Sequence, residues 1–110
     1  MHELAIAESV VETVTTRTGQ RRVAEVRLRI GKLSGVSADS LRFCFELAVQ
    51  GTMLDGAQLD IEEPSGLAHC SECGEEFPLS DLILLCPCGS ADVSVVEGDE
   101  LRIMSVEVVS

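Results

Sequence analysis

The chain has 110 residues, 45% of them hydrophobic, and its 8 Lys and Arg against 19 Asp and Glu give a formal charge of −11 at pH 7. This length suits one domain, or a small domain that carries a metal-stabilised module, and the hydrophobic content supports a folded core. The acidic charge and the absence of Trp and Tyr argue against binding to nucleic acid or to an anionic membrane surface. We therefore expect no nucleic-acid and no membrane partner.

The amino-terminal stretch lacks the features of a secretory signal. Residues 1–11 contain no basic segment, and Glu3 and Glu8 interrupt the apolar run. The expected compartment is the cytoplasm, where thiols stay reduced. An odd number of cysteines, four of them in two close pairs, then indicates metal binding rather than disulfide bonds.

The first third of the chain predicts a helix followed by a strand. Apolar residues recur at helical spacing over 3–17, where the buried stripe is formed by Leu4, Ala7, Val11 and Val14. Over 23–30 the period changes to two, which predicts a half-buried strand whose inward side chains are Ala24, Val26, Leu28 and Ile30. Gly19 and Gly31 mark the ends of these two elements.

A second helix and a short strand are predicted in the middle of the chain. Ser37 is a suitable N-cap for a helix over 38–50, whose apolar stripe is formed by Leu41, Cys44, Phe45 and Ala48. A strand with Leu59 and Ile61 inward follows. Because a helix lies between two strands, a parallel pairing through a right-handed crossover is favoured.

The rest of the chain predicts an insert and a last strand that returns to the same sheet. The strand covers 100–109, with a bulge between Ile103 and Met104 where the apolar phase shifts. The predicted fold class is α+β, with a small three-stranded mixed sheet, two helices and an inserted zinc-ribbon domain. We predict a discontinuous α/β domain of residues 1–66 and 93–110 and a zinc-ribbon insert of residues 67–92.

Four cysteines of the insert form two short pairs, Cys70/Cys73 and Cys86/Cys88, with twelve residues between the pairs. Two such turns that face each other supply four thiolates in a tetrahedron, which suits Zn2+ in a closed, structural site. One residue instead of two separates Cys86 from Cys88, so this turn must be distorted, and His69 is an alternative ligand. Iron in a rubredoxin-like site is less favoured because an aromatic shell is missing. Cys44, on the apolar face of the second helix, is interpreted as a buried inert thiol.

His2 is by itself most simply a frayed terminal residue. The Met1 amine, the backbone amide nitrogen and the His2 imidazole can nevertheless chelate one ion through fused small rings. A nitrogen-rich, planar ligand set of this kind suits Ni(II) or Cu(II) better than Zn2+ or Mg2+.

Six stretches of the chain carry a recognisable pattern in order: MHELAIAESVV (1–11), IGKLSGVSADSLRFCFE (30–46), GTMLDGAQLDIEEP (51–64), CSECG (70–74), CPCGS (86–90) and GDELRIMSVEV (98–108). In these stretches the sequence resembles the HypA/HybF family of nickel metallochaperones. The resemblance implies a nickel-binding α/β domain with His2 as the nickel ligand and with Met1 and Glu3 assisting. It assigns Zn2+ to Cys70, Cys73, Cys86 and Cys88. The family usually has CPxC at the second turn, where this chain has Cys86-Pro87-Cys88.

The resemblance also implies partners: a HypB-type GTPase, the [NiFe]-hydrogenase large-subunit precursor that receives Ni2+, and urease maturation proteins for some members. A carrier that is not an enzyme agrees with the residues, because a phosphate-binding loop ending at Gly31-Lys32 would need glycine at 26 and Ser or Thr at 33. The chain has Val26 and Leu33 there. The alternatives are a zinc-ribbon adaptor that regulates a partner without nickel delivery and a rubredoxin-like electron carrier.

Overall fold

The computed structural model describes residues 2–109, which form two helices and six strands. The elements are α1 (Glu3–Thr18), β1 (Val23–Ile30), α2 (Ala38–Ala48), β2 (Gln58–Glu62), β3 (Gly66–Cys70), β4 (Glu76–Leu79), β5 (Val93–Glu97) and β6 (Leu101–Val108). The strands form two three-stranded sheets, in the orders β2-β1-β6 and β4-β3-β5. The molecule measures 53 × 23 × 18 Å, so the two sheets belong to an elongated shape.

The first sheet is mixed, as predicted. Leu28 on the central strand β1 lies opposite Ile61 of the parallel strand β2 and opposite Ile103 of the antiparallel strand β6. Both helices contribute to the core of this sheet, whose fully buried members include Ala7, Val14, Val26, Leu28 and Leu41. The predicted fold class, with two helices on a three-stranded mixed sheet and a second module inserted, is confirmed.

The helices begin and end at residues suited to these positions. The Ser37 side chain accepts a hydrogen bond from the Ser40 backbone N–H (3.3 Å), which caps the start of α2 as predicted. Helix α1 ends at Gly19, whose φ of 64° favours glycine. Among residues 2–109, neither helix combines the length and the apolar character needed to cross a bilayer.

A bulge in β6 lies at the predicted position. Arg27 pairs with Ser105 while its neighbour Leu28 pairs with Ile103, so Met104 is the extra residue. Because of this extra residue, the apolar side chains after Met104 face the core although they are one position out of phase with those before it. This is the phase shift that the sequence shows.

A second bulge changes the expected burial in β1. Val23 pairs with Val108 and Glu25 with Glu107, so Ala24 is the extra residue. Because this bulge interrupts the two-residue alternation, Val23 is buried in place of Ala24, which is only half-buried.

The predicted stripe of α1 also needs a correction. Leu4 is 46% exposed, and Val10 is buried instead. The first turn of α1 lies outside the core, which along this helix begins at Ile6 and Ala7.

The second sheet has a small core of its own, made of Leu33, Ala68, Cys70, Phe77, Leu79 and Cys86. All members except Leu33 belong to the strands and turns of the cysteine-containing segment. Leu33 comes from the loop after β1, so a residue that follows a strand of the first sheet is buried in the core of the second sheet. Strand β5 pairs with β3 and lies outside the range 67–92 expected for the insert. The division into two domains stays a prediction.

Chain segments that join the two sheets pass very close to each other at glycines. A Cβ on Gly31 would lie 1.9 Å from the carbonyl oxygen of Gly98. The same segments are joined by main-chain hydrogen bonds, from the Leu33 N–H to the Gly98 carbonyl (2.8 Å) and from the Lys32 N–H to the Pro64 carbonyl (3.0 Å). Glycine is therefore required where the segments meet.

Candidate metal centres

The four cysteines of the insert converge on one site beside the second sheet. Cys70 ends β3, Cys73 lies in the turn that follows, and Cys86 and Cys88 lie in a turn before β5. All four Sγ atoms lie within 4.8 Å of one another. The Sγ atoms of Cys70 and Cys88 are 3.8 Å apart, and those of Cys73 and Cys86 are 3.6 Å apart. The spacing pattern in the sequence therefore identified four residues that the fold brings together.

The spacing of these sulfurs fits a tetrahedral zinc ion. With Zn–S bonds of about 2.3 Å, the sulfurs at the corners of a tetrahedron are about 3.8 Å apart. The Cys70–Cys88 and Cys73–Cys86 distances lie within a few tenths of an ångström of that value, and all four cysteines are free of disulfide bonds. The four-cysteine cluster is consistent with a zinc site with no open coordination position.

The first cysteine turn is closed by two main-chain hydrogen bonds. The Cys70 N–H donates to the Glu75 carbonyl (3.0 Å), and the Gly74 N–H donates to the Cys70 carbonyl (2.9 Å). Gly74 has a φ of 75°, in the left-handed region where glycine is favoured. This arrangement holds Cys70 and Cys73 on one side of the turn.

The second cysteine turn repeats the first one in a form that is shorter by one residue. The Cys86 N–H donates to the Ser90 carbonyl (2.9 Å), and the Gly89 N–H donates to the Cys86 carbonyl (2.8 Å). The Cys88 N–H points at Cys86 Sγ (3.4 Å). The turn thus closes through the same types of bond although one residue, Pro87, separates its cysteines.

The pKa values of two thiols in the cluster, Cys70 and Cys86, shift in opposite directions. The backbone N–H groups of Cys73 and Glu72 lower the pKa of the Cys70 thiol to about 6. The Cys88 N–H acts in the same direction on Cys86, but burial and the adjacent sulfurs outweigh it and raise the pKa of Cys86 to about 12. Adjacent thiolates repel one another, and a divalent cation would neutralise this charge.

Two further residues that the sequence analysis considered, His69 and Cys44, do not belong to this cluster in the structure. His69 is half-buried on β3 next to Cys70, and neighbouring residues of a strand point to opposite faces. Its nitrogens are not among the ligand atoms that converge on the site. Cys44 packs against the first core on α2, but it is half-buried rather than buried as expected.

The expected nickel residues lie at the start of α1. His2 is the N-cap residue of this helix, its side chain is exposed, and its carbonyl accepts a hydrogen bond from the Ile6 N–H (3.2 Å). The backbone nitrogen of an N-cap residue lies outside the hydrogen-bond ladder of the helix. Met1, which is expected to assist, lies outside the described residues.

Glu3 connects the start of α1 to the start of α2. One of its carboxylate oxygens accepts a hydrogen bond from the Ser37 backbone N–H (3.1 Å). This bond, which favours the charged carboxylate, lowers the pKa of Glu3. The sequence identified Ser37 only as a helix cap, because a contact between residues 34 positions apart leaves no local signal.

Comparisons with known proteins agree along the whole chain. A family model described as "Hydrogenase/urease nickel incorporation, metallochaperone, hypA" matches residues 1–108. The chain is 47% identical over 109 residues to "Hydrogenase maturation factor HypA" of Geobacter metallireducens, with 98% of this chain and 99% of the relative covered. It is 49% identical over 109 residues to the protein of the same name from Geotalea uraniireducens, with the same coverage.

Solved structures show the same fold. The solution structure of the Ni metallochaperone HypA from Helicobacter pylori covers 100% of this chain and 99% of its own length, with a TM-score of 0.66 and 24% sequence identity. The family match and the identity to the relatives above extend this agreement from the fold to the family. The chain therefore belongs to the HypA family of nickel-incorporation metallochaperones, which act in hydrogenase maturation.

Proposed function

We propose that this protein binds Ni2+ at its amino-terminal end and delivers it to the [NiFe]-hydrogenase large-subunit precursor. The family match over residues 1–108 is the observation that carries this proposal. The exposed His2 side chain at the start of α1 supports it, since a carrier must hold its cargo where another protein can take it.

The nickel ligands are the His2 imidazole and backbone nitrogen, with the Met1 amine completing a planar nitrogen set. The position of His2 as an N-cap supports this assignment, because its own nitrogen is not needed for the helix. Glu3 is the assisting residue. Its carboxylate already accepts the Ser37 N–H through one oxygen, so the other oxygen is the one that would face the ion.

Zn2+ at Cys70, Cys73, Cys86 and Cys88 has a structural role in this proposal. Two of these cysteines, Cys70 and Cys86, are part of the small core of the second sheet. A segment with so few buried residues gains much of its folding free energy from the metal when it is bound. A closed site of four protein ligands leaves no position for a substrate, so it carries no catalytic chemistry.

A carrier of this kind works with partners that supply what the chain lacks. The chain has no phosphate-binding loop at Gly31-Lys32, so a HypB-type GTPase supplies any nucleotide-driven step. Urease maturation proteins are further partners in organisms that make urease. The free cysteines favour a reducing compartment, the cytoplasm, as the place of action.

The test is metal analysis of the purified protein followed by nickel titration of the wild type and His2→Ala. We expect one tightly bound zinc per chain and reversible nickel uptake that His2→Ala abolishes without changing zinc content or helical circular dichroism. His69→Ala is the matched control, because it removes the other histidine of the chain and leaves the amino-terminal end intact.

Nickel binding of undiminished strength in His2→Ala would show that the ion is held elsewhere. A wild type that contains zinc but takes up no nickel would instead indicate the zinc-ribbon adaptor. Coloured protein with thiolate-to-iron absorption would indicate the electron carrier.

A further inference from the structure

Four consecutive apolar side chains lie on the surface of the cysteine-containing segment. Leu82, Ile83, Leu84 and Leu85 are 62%, 67%, 40% and 51% exposed, and we refer to these residues as the apolar loop. Single exposed apolar residues are common on protein surfaces, but a contiguous group of large ones is typical of an interaction site. Neither metal site uses these side chains, so the apolar loop needs a separate explanation.

The apolar loop is held in place at both ends and by its own backbone. Leu79 before it and Cys86 after it are both buried in the core of the second sheet. Within the segment, the Asp81 carboxylate accepts the Ile83 N–H (2.9 Å), and the Leu85 N–H donates to the Ile83 carbonyl (2.9 Å). The chain thus presents these side chains to solvent on an ordered backbone, which lowers the entropy cost of binding.

The charge around the apolar loop restricts the partner. The segment 66–97 contains six acidic residues, Glu72, Glu75, Glu76, Asp81, Asp92 and Glu97, and no lysine or arginine, so all eight basic residues lie elsewhere in the chain. The carboxylate of Asp81 directly precedes the loop. A surface of this kind is complementary to apolar side chains flanked by Lys and Arg.

We propose that the apolar loop is a docking site for a basic, amphipathic segment of a partner protein. A second copy of this chain is disfavoured, because pairing of the two loops would bring two acidic segments together and because each chain carries a formal charge of −11. An anionic lipid surface is disfavoured for the same reason. This inference goes beyond the proposed nickel function, because it uses neither His2 nor the amino-terminal end.

The experiment uses the full-length, 15N-labelled protein as purified and two synthetic helical peptides. Both peptides have one leucine face, and their polar faces carry Lys and Arg in the first peptide and Glu in the second. We expect the basic peptide to shift the backbone amide signals of residues 81–86, and to bind more weakly as salt is raised. The acidic peptide should leave these signals unchanged.

Two double variants locate the contact. Ile83→Ser/Leu85→Ser should raise the Kd for the basic peptide by about tenfold or more, as expected when apolar anchors are removed. Phe43→Ser/Leu47→Ser removes exposed apolar side chains from α2 and should change the Kd by less than about twofold, because it leaves the apolar loop intact. Unchanged zinc content and circular dichroism would show that both variants are folded.

Three results would overturn the proposal. One is no binding of the basic peptide at millimolar concentration, and another is equal binding of the two peptides. The third is concentration-dependent dimerisation in sedimentation experiments that Ile83→Ser/Leu85→Ser removes, because it would assign the loop to a second copy of the chain.

Discussion

Replacing Gly31 by alanine tests the close approach of the segments that join the two sheets. The new Cβ would lie 1.9 Å from the carbonyl oxygen of Gly98 and 2.2 Å from its carbonyl carbon. Non-bonded heavy atoms are normally separated by about 3.5 Å, so the segments would have to move apart by about 1.5 Å. Both Gly98 atoms belong to the main chain, so they cannot rotate away as the end of a flexible side chain can.

The expected cost follows from the bonds that this movement breaks. The Gly31 N–H donates to the Glu100 carbonyl (2.9 Å), and the Leu33 N–H donates to the Gly98 carbonyl (2.8 Å). Each bond stabilises the fold by about 1 kcal/mol, and the strain of an overfilled site adds about 1–3 kcal/mol. We therefore expect the free energy of unfolding to fall by about 3–5 kcal/mol, a large part of the roughly 5–15 kcal/mol typical of native proteins.

Urea unfolding followed by far-ultraviolet circular dichroism measures this change. The matched control is Gly56→Ala, because Gly56 has a φ of 84° and no atom within 4 Å of an added Cβ. This control carries only left-handed backbone strain, which costs about 1–2 kcal/mol. If Gly31→Ala is no less stable than Gly56→Ala, the two segments do not approach as described and the reasoning is refuted.

Three further predictions concern the site and its support. Cys73→Ser should release zinc and make residues 67–92 sensitive to limited proteolysis while helical circular dichroism persists, and equal cleavage throughout the chain would contradict it. Leu33→Ala should destabilise the protein by about 2–5 kcal/mol in urea unfolding, because a buried leucine leaves a cavity in the small second core. A loss below about 1 kcal/mol would show that Leu33 does not hold that core together. The Glu3 carboxyl should show a pKa below the usual range of a glutamate in an NMR titration, because the Ser37 N–H stabilises its charge. The stability that this lowered pKa contributes is fully present above the usual pKa of a glutamate and is lost as the pH falls through the lowered pKa of Glu3. An unshifted titration would contradict the hydrogen bond between Glu3 and Ser37.

The first sheet was predictable because its determinants are local or periodic. The helix between β1 and β2 predicted their parallel pairing, and the phase shift at Met104 predicted the bulge in β6. The bulge at Ala24 was missed because alanine fits either face of a strand, so the sequence around it keeps an unbroken alternation. The extra residue on β1 and the extra residue on β6 offset each other in the pairing of the two strands. Such a pair of bulges becomes visible only when the register of both strands is known.

Contacts that join distant parts of the chain were not predictable. Leu33 follows a strand of the first sheet but is buried in the core of the second. The close approach of Gly31 to Gly98 is likewise a property of how three segments cross. A single sequence shows Gly31 only as a turn residue, because the atoms that exclude a Cβ there are more than sixty residues away.

The four zinc candidates were identified by spacing, but the short second turn could not be interpreted without the structure. It keeps the hydrogen bonds of the first turn because main-chain groups form them, so a missing residue shortens the turn without moving Cys86 out of the cluster. Cys86 directly follows the apolar loop, so a metal bound there would fix the loop as well as the turn. Loss of zinc in Cys73→Ser should therefore weaken binding of the basic peptide, whereas His2→Ala should remove nickel and leave peptide binding unchanged. If Cys73→Ser bound the peptide as the wild type does, the metal would not be what orders the loop.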